Sequence, residues 1–428
     1  FQQQTQSTVE LSIVSVSGGD LLVGGSGTLS VQSSHVAVSD GTMRLESVSN
    51  TWLNSTSVTV AGGDLLLHDG AQFTVLGGTA FTVLEGNAQF DGTVEALFQS
   101  SSIAVHGGLV LVNEHVTCTL IGSSMLIDEN EQLVEEATAK RSVVRQARGG
   151  RQERFVITDE LLIVAGSSVL SASSNSSLTA NNGKVLLLEQ SSVQATGAST
   201  VSVTGGSVAL RNQASMQLTQ RSQLAVSGGS LTFNDASSLL AVANSGVTVS
   251  GGSVALSDQS TVTLQDGSLA VSQGSLSLDG TSTLGVTRSR VSVSGGSVLL
   301  GGSSVMSSVQ QSSLVVTGGS VMLSGNAESI SQGSSVVSIS GGSFVATDSS
   351  AVTIGSGSSL SVSSGSLIVQ QAASVNAIDS TVSVSGGSAQ FSGSSVVKVQ
   401  HSTLDVSGGS VEFSDSTSVS LSQGGVMQ

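Results

Sequence analysis

The chain has 428 residues, of which only 10% are charged, with a net charge of −16, no Pro, no Tyr, one Trp and one Cys. So acidic a balance argues against a nucleic-acid partner, which needs clustered Lys and Arg; one Cys rules out an internal disulfide framework; no run approaches the roughly 18 uninterrupted apolar residues of a transmembrane helix. With aromatic residues at 3%, the interior has to be built from Val, Leu, Ile and Ala, and 38% hydrophobic content in regular alternation argues against disorder.

The chain enters at Phe1 in mid-repeat, without an initiator Met, as expected of a processed or trimmed piece of a longer protein. A glycine pair, or a substitute in its place, then recurs with its second position at 19, 41, 63, 86, 108, 130, 160, 183 and onward to 409, and all but one of the steps are 22 or 23 residues. Three residues before each index stands an apolar residue, such as Val16, Ile127, Ile157, Val249 and Val406. Two and four residues after it come further apolar pairs, such as Val254 with Leu256, and ten and twelve after it a third pair, such as Val262 with Leu264. Alternation at a period of two means one face in and one face out. Each unit therefore reads as three short strands joined by corners, and is too small to bury its own inner face. Stacking consecutive units predicts an all-β, single-domain parallel β-solenoid of about 18 coils. Coils that vary in length between the second and third strands favour a right-handed helix over the left-handed hexapeptide type.

At the corner, Gly relieves a bend with positive φ. Asp40, Glu85, Asn182 and Gln273 replace the first Gly, so that slot reads as the less strained of the two. The residue after the index is Ser in ten successive units, from Ser207 to Ser410, which predicts a ladder of stacked hydroxyls.

Outward slots differ between strands. Those of the first and third strands are mostly Ser, Thr and Gln, whereas the strand after the glycines carries Leu22, Leu66, Leu111, Leu133, Ile163, Leu186, Leu299, Met322, Val345 and Ile368. A strand apolar on both faces is usually covered on both, so this column is the candidate assembly face. Arg44, Gln89, Thr232, Ser277, Gln390 and Glu412 interrupt it.

The pattern breaks once, between solenoid segments 1–130 and 155–428. Residues 131–154 hold an acidic block followed by Lys140, Arg141, Arg145, Arg148, Arg151 and Arg154, and 131–148 is the only good helix-former run. The reading is a solvated loop or short helix; the spacing of Arg145, Arg148, Arg151 and Arg154 also suits a docking or processing element.

Chemistry-bearing constellations are sparse. Asp20 and Asp64 share a slot but lie two coils apart, too far for paired acid/base work. His35, His68, His106, His115 and His401 show no ligand spacing. GGSGTLSVQ at 24–32 approaches a calcium-binding nonapeptide but has Leu29 in place of the required Asp. Cys118 falls in an inward slot, as a small apolar residue would. Asn54-Ser-Thr and Asn175-Ser-Ser fit the N-glycosylation pattern. Neither an enzyme nor a cofactor is expected.

The stacked Val/Ser/Gly coils, poor in Cys, resemble the right-handed β-helical surface proteins: autotransporter passengers, filamentous adhesins and related fibres. That resemblance implies a secreted, extracellular or cell-surface location. The expectation is a non-catalytic structural protein that self-associates through its Leu-rich face into filaments or a surface layer. The competing expectation is an adhesin that presents a surface to a glycan or other cell-surface ligand. Ice binding is less favoured, because Ser dominates over Thr and the outward columns vary.

Overall fold

The computed structural model describes residues 6–128 and 160–428, and all regular structure among them is β-strand. No helix among the described residues is long and apolar enough to cross a membrane. The chain divides into two compact units, residues 1–209 and 210–428. Each is a parallel β-solenoid of three-stranded coils.

One coil of the second unit shows why the repeat folds this way. Gly246–Ser250 precedes the glycine corner, Val254–Leu256 follows it, and Thr261–Gln265 closes the turn. Val247, Val249, Val254, Leu256, Val262 and Leu264 point inward, and none is more than 2% exposed. Each lies over its equivalent in the next coil: Val249 over Val271, Leu256 over Leu278, Leu264 over Val286. A coil alone would leave this inner face wet, and its burial comes only from the neighbours above and below. In the first unit Phe73 extends the same core, packing edge-on against Phe81 and Phe98 at 5.6 and 5.8 Å between ring centroids.

The two glycines of a corner are there for different reasons. Gly295 has φ +75, and non-glycine residues in that slot adopt the same left-handed conformation, as Asp40 does at +54 and Gln273 at +61. This is the conformationally strained slot, contrary to the sequence reading, and short polar side chains tolerate it at modest cost. The second glycine has no positive φ but no room either: a Cβ on Gly296 would overlap the carbonyl oxygen of Gly274 in the preceding coil. The corner backbones are simply too close for any side chain.

The sequence spacing suggested separate coils indexed at 130 and 160; the ladder shows one. Ser124–Asp128 pairs directly with Ser177–Asn181, Ile127 opposite Ala180. The post-glycine strand of that coil is Glu160–Val164, paired with Val110–Val112 on one side and with Lys184–Leu187 on the other. Successive coils are here 53 residues apart in sequence instead of 22 or 23. An excess of one repeat plus eight residues imitated an extra coil, so the coils number about 17 rather than 18. Residues 129–159 lie outside the described residues, and with them Leu133, Ile157, Arg145, Arg148, Arg151, Arg154 and the helix-former run.

Side-chain hydroxyls stitch coil to coil in two columns. Beside the glycines of the second unit, each Ser Oγ accepts the backbone N–H of the next coil's Ser, from Ser230 receiving Ser253 at 3.2 Å to Ser366 receiving Ser388 at 3.3 Å. The expected hydroxyl ladder is thus mainly a hydroxyl-to-backbone ladder, although Ser388 and Ser410 also bring their hydroxyls to 3.3 Å. A second column, not expected, is buried between the third strand and the next pre-glycine strand. Ser335 Oγ accepts the Ser312 N–H at 3.2 Å and donates to the Gln332 carbonyl at 2.7 Å. In the first unit Ser123, Ser176 and Ser199 accept the corresponding N–H at 3.2 Å.

At the remaining corner the same residue type does something else. Ser237, Ser260 and Ser350 are fully buried, yet their hydroxyls have no partner, and Ala214, Ala327 and Ala373 occupy equivalent slots.

These contacts can be tested by urea-denaturation midpoints. Ser335→Ala strands a buried N–H and should cost about 1–3 kcal/mol, whereas Ser260→Ala removes an unsatisfied hydroxyl and should be neutral or stabilising. Equal losses at both sites would refute this account of the columns. Gly295→Ala should cost about 1 kcal/mol, from its φ alone; Gly296→Ala should cost about 3 kcal/mol through overlap with the coil beneath.

Candidate assembly face

The outward column of the post-glycine strand has two characters. In the second unit Leu299, Met322, Val345 and Ile368 occupy four successive coils in register, each directly over the last. Leu299 is 40% exposed and Met322 42%; Val345 and Ile368 are half-buried. Ser277 and Gln390 bound the run. At one strand spacing per coil this is a flat apolar stripe about 14 Å long.

The first unit differs. Leu22 is 58% exposed and Leu66 half-buried, but Leu111, Ile163 and Leu186 are only 7%, 3% and 9% exposed. They stack in register and form a buried cluster with Leu109, Ala165, Leu188 and Ala209 packed against it. These three side chains are therefore not available as an exposed face, although the residue type and slot are the same as in the second unit. Strand period alone could not have distinguished the two stretches.

Other residues singled out in the sequence find structural roles. Asp20 and Asp64 belong to the corner ladder: Asp20 Oδ1 accepts the Thr42 N–H at 2.9 Å, and Asp64 Oδ1 accepts the Asn87 N–H at 2.7 Å. Each does what Ser does in the second unit, with a carboxylate in place of a hydroxyl. Asn54 and Asn175 both lie at the corner after the third strand, but their contexts differ. The Thr56 hydroxyl of the first sequon is buried and donates to Val31 and Asn54 carbonyls. Asn175 is exposed and stands on an open polar groove with Gly78, Ser100, Ser102, Gly122 and Ser124. His401 lies 3.6 Å from Asp379 at an exposed corner, and His35 and His115 are exposed. No group of three His, Cys, Asp or Glu side chains able to hold a metal occurs among the described residues.

Charge is handled locally. Arg288 donates to both carboxylate oxygens of Asp266 at 2.7 and 2.9 Å and to Gln310; these hydrogen bonds hold the Asp266 carboxyl below its ordinary range. Cys118 is fully buried, and desolvation pushes its thiol up to about 12. Only the thiolate reacts readily, so a maleimide at pH 8 should leave the native chain unlabelled and modify one site after denaturation. Rapid labelling of the native protein would contradict the buried assignment.

Parallel coils stacked in register, with hydroxyl ladders at their corners, define a β-solenoid repeat protein. Residues 110–424, roughly three quarters of the chain, match the family described as the B-type subunit of the discoidin-inducing complex, and the chain belongs to that family. No curated protein matches it. The family is not an adhesin family, so the resemblance to β-helical surface proteins holds at the level of the parallel β-solenoid.

One feature of the surface escaped the sequence reading. Trp52 occupies an outward slot of the third strand and is 51% exposed. Its signal was present, since it is the one Trp of the chain in a slot otherwise mostly small or polar.

Proposed function

We propose that this chain is a non-catalytic structural subunit that self-associates laterally through the Leu299–Met322–Val345–Ile368 stripe, in an extracellular or cell-surface assembly. The stripe carries the proposal: four large apolar side chains in successive coils, held in one plane by the sheet, form a contiguous face rather than scattered surface hydrophobics. Two further observations support it. The family description names a subunit of a complex, and the matched carboxylates Asp20 and Asp64 are already engaged as backbone acceptors. The extracellular placement rests on the likeness to β-helical surface proteins and on the exposed Asn175 sequon.

Because each stripe side chain is partly covered already, burying it in an interface is worth about 1 kcal/mol. Four together give about 4 kcal/mol, close to a thousandfold in Kd. The variant carrying Leu299→Ser, Met322→Ser, Val345→Ser and Ile368→Ser should therefore sediment as dispersed single chains at concentrations where the parent protein assembles, with its thermal melt preserved. Assembly unchanged in that variant would reject the stripe as the interface. Substituting Leu111 or Leu186 would not test the proposal, since both are buried within the first unit.

A further inference from the structure

Trp52 lies on Asn50–Asn54, pointing away from the core. Register fixes its surroundings: Ser30 and Thr74 stand beside it on the two neighbouring strands, and Asn50 and Asn54, two residues away along its own strand, share its face. An exposed indole is thus held on a rigid sheet and framed by two hydroxyls and two carboxamides, all uncharged.

A second observation falls on the same coil. The Asn50 amide oxygen is buried without a hydrogen-bond partner, and so is Arg44 Nε, one corner earlier in the chain; Val48, in the corner between them, is 72% exposed. Orphaned polar atoms of this kind are uncommon in folded proteins. Turning the Asn50 carboxamide toward a ligand would give up no hydrogen bond made by its oxygen.

We propose that Trp52 is the platform of a saccharide site that takes a neutral pyranose unit of a glycan. A pyranose has a face of C–H groups that suits the indole, and a rim of hydroxyls that both donate and accept, as carboxamides and Ser/Thr hydroxyls do. Competing ligand classes fit less well. A stacked nucleobase brings phosphate, and the nearby cation Arg44 is already paired with Glu46 at 3.4 Å, on a chain of net charge −16. A protein hot spot would favour an apolar surround, whereas this one is polar. The site lies in the first unit, apart from the stripe of the second, so this proposal and the assembly proposal can fail independently.

Because Trp52 is the only Trp, intrinsic fluorescence reads this position alone. The full chain would be titrated with pentasaccharides of glucose, N-acetylglucosamine, galactose, mannose and xylose, up to millimolar concentration. The expected result is a saturable change in emission with at least one series. Affinity electrophoresis in the matching polysaccharide should then show retardation that Trp52→Ala reduces at least tenfold and Trp52→Phe reduces less, with both variants melting as the parent does. No emission change with any series overturns the proposal, and so does retardation that persists in Trp52→Ala. Loss of a protein partner from Trp52→Ala, without sugar binding by the parent, also overturns it.

Discussion

Everything in this protein depends on how closely one coil sits on the next at the glycine corner. The strands impose a spacing of one hydrogen-bonded step between coils, and at the corner that spacing leaves the Cα of each second glycine over the carbonyl of the coil below, with no space for a Cβ. Position within the repeat therefore dictates residue type more strictly here than in the hydrophobic columns, where Val, Leu, Ile, Phe, Met and Ala interchange. It also explains why adjacent corner slots accept only short acceptors. Ser, Asp and Asn each place an oxygen where the next coil presents an N–H.

The hydroxyl columns answer a problem that a parallel solenoid creates for itself. Strands pair their own N–H groups along the ladder, but corners turn away from it and would leave some of theirs buried and unsatisfied. A side-chain oxygen supplied by the adjacent coil closes that gap. The price appears at the third corner, where the same Ser residue is buried with nothing to bond and Ala serves equally.

The surface, by contrast, is not repetitive in use. One outward column is exposed over four coils in the second unit and buried over three in the first. The lone Trp and two orphaned polar groups concentrate on one coil. A scaffold this regular can carry local specialisations without disturbing its neighbours, because each coil contacts only the coils on either side of it. Assembly through the stripe and glycan recognition at Trp52 are proposals of that kind, each on its own unit.

What was legible in the sequence was whatever repeats. The alternation around Val249, Val254 and Val262 specified three inward-facing strands per coil, because side-chain direction in a strand follows directly from residue parity. The Ser207–Ser410 column announced a corner ladder by its regularity. Three things needed the tertiary structure. Coil identity across 128–160 was one, since an insertion slightly longer than a repeat preserves the apparent period and only the pairing of Ile127 with Ala180 reveals it. The reason for each glycine was another, because left-handed φ and steric closure leave the same letter in the sequence. Last was exposure: Leu111 and Leu299 occupy equivalent slots with equivalent neighbours in their strands, and what covers an outward side chain is decided by chain far away in sequence, which no local pattern records.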